Sequence, residues 1–228
     1  MLTRTMEAAI ETGRKRGWVL EPVAKQILRE AGFQVPESVL VTDAEEALAF
    51  AASVGFPLVA KAVSPEILHK TEYKAVVTSI QDREGLVSAV ERLKTLPGTE
   101  AVLVEAMIQG VELILGAKND YQFGPVILLG TGGTGVELYN DVAVRMAPVK
   151  NQDVVSMVES LKGKALIKGF RGAPGVNLSA LSDMVVRFSQ FAMAVDTLID
   201  SMDLNPVICT PDRCVVADAR LMTPMLNR

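Results

Sequence analysis

The chain has 228 residues, enough to bury a sizeable core as one large domain or as two small ones sharing a cleft. Hydrophobic residues make up 49% and charged residues 22%, a globular balance that argues against disorder. With 23 basic against 27 acidic residues, a net charge of -4 and only 5% aromatics to stack on bases, a nucleic-acid surface is not expected. No apolar run approaches the ~18 residues of a membrane span and the N-terminus lacks the order of a signal peptide, so a cytoplasmic chain without membrane attachment is expected.

In chain order, residues 2–15 and 21–31 read as helices, the second closed by Gly32 as a C-cap. A strand at 39–41 precedes Thr42 or Asp43, either of which can cap an Ala-rich helix ending at Gly55. Strands at 58–63 and 75–80 and a helix at 83–96 follow. Pro97-Gly98 then breaks the pattern, and it marks the expected boundary between an N-terminal subdomain, 1–97, and a C-terminal one, 98–228. The second half is richer in strand: 101–106, 112–117, 126–129 and 136–146, then helices at 153–161 and 178–199 and a closing hairpin, 203–209 and 214–220. Cys209 and Cys214, the two cysteines, lie in its apolar strands and read as small core residues.

Three places carry candidate chemistry. His69, the sole histidine, lies in Ser64-Pro65-Glu66-Ile67-Leu68-His69-Lys70-Thr71, just beyond a strand that carries Lys61. Neutral imidazole is a nucleophile near pH 7 and, among cations, is placed to carry a phosphoryl group; a lone histidine is also commonly a plain surface residue. In the final hairpin, Asn205 and Asp218 would stand on facing strands and bring an amide oxygen and a carboxylate together, a donor set that suits magnesium. Asp218 is equally able to pair with Arg213 or Arg220.

The third place is Gly130-Thr131-Gly132-Gly133-Thr134-Gly135. It is followed by a strand-like run where a dinucleotide fingerprint requires a helix, so a Rossmann site is rejected. Its backbone N–H groups, those of Gly132 and Gly133 among them, can cradle a phosphate, and the same glycines also fit a tight strand connection. Gly163-Lys164-Ala165 lacks the spacing of a P-loop and reads as a helix terminus and turn.

Taken together, Val59-Ala60-Lys61, His69-Lys70-Thr71, Phe123-Gly124-Pro125-Val126, Gly130 to Gly133, Arg145-Met146-Ala147-Pro148, Gly169-Phe170-Arg171-Gly172, Asp203-Leu204-Asn205-Pro206 and Asp218-Ala219-Arg220 stand in a family order. From about Leu20 to Met222 the chain resembles the β subunit of the ADP-forming acyl-CoA synthetases, acid–thiol ligases related to succinyl-CoA synthetase. The resemblance implies an α/β (α+β) ATP-grasp fold of two subdomains with a nucleotide cleft between them. It implies reversible transfer of a phosphoryl group between phosphohistidine and ADP or ATP with Mg2+. It also implies a hetero-oligomer with a CoA-binding α subunit that carries its own active histidine.

Residue by residue, the same resemblance makes Lys61 the cation on the nucleotide phosphates and Asn205 and Asp218 the magnesium ligands. Glu105 to Met107 becomes the hinge that bonds adenine through backbone groups, Glu112 an acidic residue of the nucleotide pocket, and His69 a β-borne phosphoryl relay. Four positions depart from the pattern. Lys74 and Ala75 replace a usual Gly-Gly, Asp203 stands for glutamate, and Asn177 for aspartate. Side chains at the two glycine positions disfavour positive φ and close backbone approach, which raises a second expectation: a catalytically silent ATP-binding or assembly subunit.

Overall fold

The computed structural model describes residues 2–133 and 141–225. It divides into two compact units, Pro36–Ile108 and a larger one made of Met1–Val35 with Gln109–Arg228. The break expected at Pro97-Gly98 falls inside the smaller unit, because the next strand pairs with the strands before that turn, and the first 35 residues belong with the second half of the chain.

The N-terminal part of the larger unit contains α1 (Arg4–Gly13), β1 (Trp18–Val19) and α2 (Glu21–Glu30). Thr3 caps α1 through its side-chain oxygen, and Gly32, at φ +87°, closes α2 as its sequence position predicts. The smaller unit is built of β2 (Ser38–Val41), α3 (Ala44–Val54), β3 (Leu58–Val63), β4 (Val76–Ile80), α4 (Arg83–Lys94) and β5 (Ala101–Ala106). Asp43 and Asp82 cap α3 and α4, each accepting an N–H three residues on at 2.9 and 2.8 Å. The four strands form one antiparallel sheet in the order β2-β5-β3-β4. Its core gathers Leu58, Ala60 and Val104 from the sheet with Ala47, Leu86, Val90 and Leu93 from α3 and α4. Those helical residues recur at the spacing that puts one apolar stripe on a sheet.

The larger unit continues with β6 (Val111–Asp120), β7 (Gly124–Thr131), β8 (Val142–Met146), α5 (Asn151–Ser160), α6 (Lys164–Lys168), α7 (Leu178–Ala194), β9 (Ser201–Cys209), β10 (Cys214–Val216) and β11 (Arg220–Met222). Of the strand expected at 136–146, residues 136–140 lie outside the described residues. The sheet has seven strands in the order β1-β11-β9-β6-β7-β8, with β10 also paired to β9. In α7, Leu181, Met184, Val185, Phe188 and Ala192 form a continuous buried stripe, and Phe33 meets the rings of Phe188 and Phe191 edge-on at 6.3 and 6.1 Å. Fully burying a side chain of this size contributes about 1.5–3 kcal/mol, so α7 is a principal source of this unit's stability.

Asn177 caps α7 with its side-chain oxygen and gives its amide N–H to the Asp212 carbonyl at 3.2 Å. An aspartate could do only the first, which accounts for asparagine here. Cys209 and Cys214 are buried, unjoined register partners, as core residues should be; the hydrogen bond between them, then burial, pushes the Cys209 thiol up. Among the described residues no helix is long and apolar enough to cross a membrane.

Candidate functional site

In the smaller unit, Lys61 leaves the middle of β3 and Glu105 lies on the neighbouring β5, two pairs along the ladder, since Val59 faces Glu105 and Lys61 faces Leu103. Their charged ends meet at 2.9 Å with side chains 6% and 2% exposed. The resemblance gives Glu105 a backbone part in a hinge; its side-chain carboxylate is the buried counter-ion of Lys61. Two backbone donors of the hinge are engaged within the protein. The N–H of Ala106 donates to Glu37 and that of Met107 to Pro57, at 2.9 and 3.1 Å, so neither donor is available to an adenine ring.

His69 is exposed, in the segment that joins β3 to β4. The segment is nonetheless pinned at its end: Lys74 N–H donates to Thr71, Ala75 N–H to Lys70 and Ala62 N–H to Ala75. Lys74 has φ +49°, so this position keeps the left-handed backbone that glycine would adopt freely, and Arg92 of α4 donates to its carbonyl at 2.9 Å. Ala75 is fully buried and has no positive φ. Only the first of the two replaced glycines therefore carries a conformational cost.

In the larger unit, Glu112 is exposed near the start of β6, and its carbonyl accepts the Gly132 N–H at 2.6 Å. A Cβ on Gly132 would sit 2.7 Å from the Glu112 backbone. Gly132 is thus the close packing of a strand connection, with its N–H spent on protein, and the expected phosphate cradle does not extend to it. Gly133, at φ +81°, is exposed beside the Glu112 carboxylate. Asp141 secures this end of β7. Its carboxylate accepts from Thr131 Oγ1, Lys162 N and Gly163 N at 3.1, 2.6 and 2.8 Å. Burial pushes the Asp141 carboxyl up, but the hydrogen bonds from Gly163, Lys162 and Thr131 outweigh it and hold the group below its ordinary range.

The closing hairpin differs from the expected pair of continuous strands. Residues 217–219 interrupt the second arm, so Asp218 lies between β10 and β11 and not on a strand facing Asn205. Proline supplies the reason. Pro206 has no N–H to continue a ladder, and its carbonyl accepts from Ala217 and Asp218 N–H, at 3.0 and 3.4 Å. The register of β9 against β6 also slips between Leu113 and Leu115, a bulge that reorients the chain at Asn205-Pro206. These backbone bonds bring the Ala217-Asp218 backbone to Pro206, the residue next to Asn205 in the chain. Asp203 joins them: it faces Arg220 across the ladder, and burial raises its carboxyl, with Arg220 opposing and the Asp218 charge adding to the rise.

This donor set is all oxygen. Among the described residues no group of three or more His, Cys, Asp or Glu is arranged to hold a metal. Magnesium requires less, typically one or two protein oxygens completed by phosphates and water, and Asn205 with Asp218 fits that demand.

The sequence pattern of the ATP-grasp domain matches residues 9–222. The chain belongs to the ATP-grasp family. Within it, the β subunit of ADP-forming acetate–CoA ligase I of Pyrococcus furiosus is 34% identical over 212 residues, covering 90% of this chain and 91% of that one. The acetyl-coenzyme A synthetase 1 of Ca. Korarchaeum cryptofilum, solved with coenzyme A, Ca-AMPCP and HgCl+, superposes with a TM-score of 0.86 at 37% identity, covering 95% of this chain and 96% of that chain. The same enzyme with coenzyme A and Mg-AMPPCP, its phosphohistidine segment pointing towards the nucleotide binding site, gives 0.81 at 36% identity over the same shares. The chain is thus a family member of the β subunits of ADP-forming acyl-CoA synthetases.

Sequence reasoning passed over Asp141, Glu21 and Lys25. Glu21 and Lys25 form an ion pair of 2.9 Å on α2, with side chains 5% and 2% exposed. A signal was present: with Ala24 and Leu28 they occupy positions i, i+3, i+4 and i+7, the apolar stripe of the helix.

Proposed function

We propose that this chain is the nucleotide-binding subunit of an ADP-forming acyl-CoA synthetase, acting with a CoA-binding α subunit in a hetero-oligomer. The observation that carries the reading is the convergence at Pro206, which gathers Asn205 and the Ala217-Asp218 peptide in one place within a chain matched along its length by such β subunits. Lys61 neutralises nucleotide phosphates, Glu112 and Gly133 contribute to the nucleotide pocket, and Asn205 and Asp218 hold Mg2+. When bound, the metal supplies charge neutralisation and orientation of the phosphate oxygens.

His69 is the carrier. A ring nitrogen takes the phosphoryl group as the P–N bond to the partner's histidine breaks, and the second nitrogen releases its proton. In the next transfer the P–N bond on His69 breaks, an oxygen of the ADP β-phosphate takes the phosphoryl group to give ATP, and the ring regains a proton. Both transfers are reversible. An exposed imidazole in a segment with a fixed backbone suits a group that must meet a partner and then a nucleotide.

The silent-subunit reading rested on Lys74 and Ala75. Lys74 keeps the left-handed backbone and Arg92 fixes it, which favours the active reading. A cytoplasmic setting belongs to the same proposal.

The test uses the chain with its α partner, magnesium and labelled ATP. An acid-labile, base-stable label should form on His69, and His69→Asn should abolish it together with coupled acyl-CoA synthesis while leaving ADP affinity unchanged. Full coupled activity in the variant would return the nucleotide site to direct service by the partner's histidine.

A further inference from the structure

Lys25 is 2% exposed, yet its ammonium does more than pair with Glu21. It donates at 2.7 Å to the carbonyl of Ala217, a residue 192 positions away and the immediate neighbour of Asp218. The same peptide is held from two other sides: Val216 N–H donates to the Gln34 carbonyl at 2.9 Å, and Ala217 and Asp218 N–H donate to Pro206. A buried ammonium is costly unless paired and hydrogen-bonded, and an apolar residue at position 25 would suit the stripe of α2 better. The ion pair therefore does something that packing alone does not require.

We propose that Glu21 and Lys25 are positioning residues for the metal site, fixing the Ala217-Asp218 peptide so that the Asp218 carboxylate is presented beside Asn205 at a set distance. This inference rests on the reading of Asn205 and Asp218 as magnesium ligands. Glu21 holds the charge on Lys25 and fixes the direction of its ammonium; Lys25 fixes the Ala217 carbonyl; the peptide plane carries that constraint to the Asp218 backbone. The first 35 residues thereby act on the other end of the chain through a side-chain-to-backbone bond.

The test measures ADP binding to the full chain by calorimetry, across a magnesium titration and in EDTA. The double variant Glu21→Gln/Lys25→Met removes both charges together, so no lone ion is left buried. It should raise the magnesium concentration for half-maximal ADP binding by about tenfold or more, the usual size of an effect on a residue behind a ligand. Affinity for ADP in EDTA should stay the same, which a general loss of structure would not permit. Asp218→Asn is titrated alongside. An unchanged magnesium requirement in the double variant, with a shifted one in Asp218→Asn, overturns the positioning role alone. No shift in either overturns the metal assignment and the positioning role with it. If the double variant does not fold, hydrogen exchange on the unaltered chain decides the matter. Mg-ADP, but not ADP in EDTA, should slow exchange in peptides covering both 21–28 and 214–219, and protection confined to 214–219 overturns the proposal.

Discussion

The two units hold their candidate residues by different physical means. In the smaller unit Lys61 is fixed by another side chain, Glu105, in a buried pair on adjacent strands. In the larger unit Lys25 pairs with Glu21 too, but buried charged side chains also reach backbone groups: Lys25 the carbonyl of Ala217, Asp141 the N–H groups of Lys162 and Gly163. The distinction matters because a side-chain pair can be dismantled from both ends, whereas a backbone group cannot be mutated away. Losing one member of the pair is repairable by a second substitution. Losing a side chain that serves a buried backbone group leaves that group without its partner, and no second substitution removes it.

The largest effect expected from this contrast is at Lys61. Lys61→Met takes the cation from the buried Glu105 carboxylate and should cost about 3–5 kcal/mol of unfolding free energy in urea. Lys61→Met/Glu105→Gln should recover most of it, because the two opposite charges are removed together. ADP affinity should stay roughly tenfold or more below wild type in the double variant, since the cation proposed to bond the phosphates is still missing. A double variant that regained affinity with its stability would make Lys61 a purely structural partner of Glu105.

Asp141 supplies the opposite case. Asp141→Asn keeps the shape and one acceptor but loses the charge from three hydrogen bonds, and should cost about 2 kcal/mol at pH 7. The pH dependence has a definite sign. A carboxyl held below its ordinary 3.8 in the folded chain contributes stability above that value and loses it as pH falls through the folded pKa. Wild type and variant should therefore converge in denaturation experiments only below about pH 4. A constant difference down to pH 2 would show that shape, and not charge, holds this end of β7.

The smallest effect lies in the His69 segment. Lys74→Gly exchanges a strained left-handed lysine, which costs roughly 1–2 kcal/mol, for the larger unfolded-state entropy of glycine, roughly 0.5–1 kcal/mol. A net stabilisation of about 0.5–1 kcal/mol should appear as a higher thermal midpoint. Destabilisation would mean that the lysine side chain has a role its backbone does not reveal.

Local signals carried most of the secondary structure. The caps at Asp43 and Asp82, the stop at Gly32 and strands β3 and β5 follow from residues close together in the chain, whose geometry is set by sterics and short-range hydrogen bonds. The family order of short motifs was equally legible, and with it Lys61, His69, Asn205 and Asp218 as candidates. Tertiary structure alone decided where the chain divides, because β5 follows the Pro97-Gly98 turn yet completes the sheet begun before it. It alone showed that the Gly132 and Met107 amides are spent on protein, and that the hairpin breaks around Asp218 where Pro206 cannot donate. It also showed the contacts of Glu21, Lys25 and Asp141. Lys25 and Asp141 act on backbone groups, and every residue has the same N–H and C=O, proline apart, so the receiving end of such a bond leaves no mark in the sequence. Lys25 and Ala217 are joined across 192 positions by burial that only the folded chain creates.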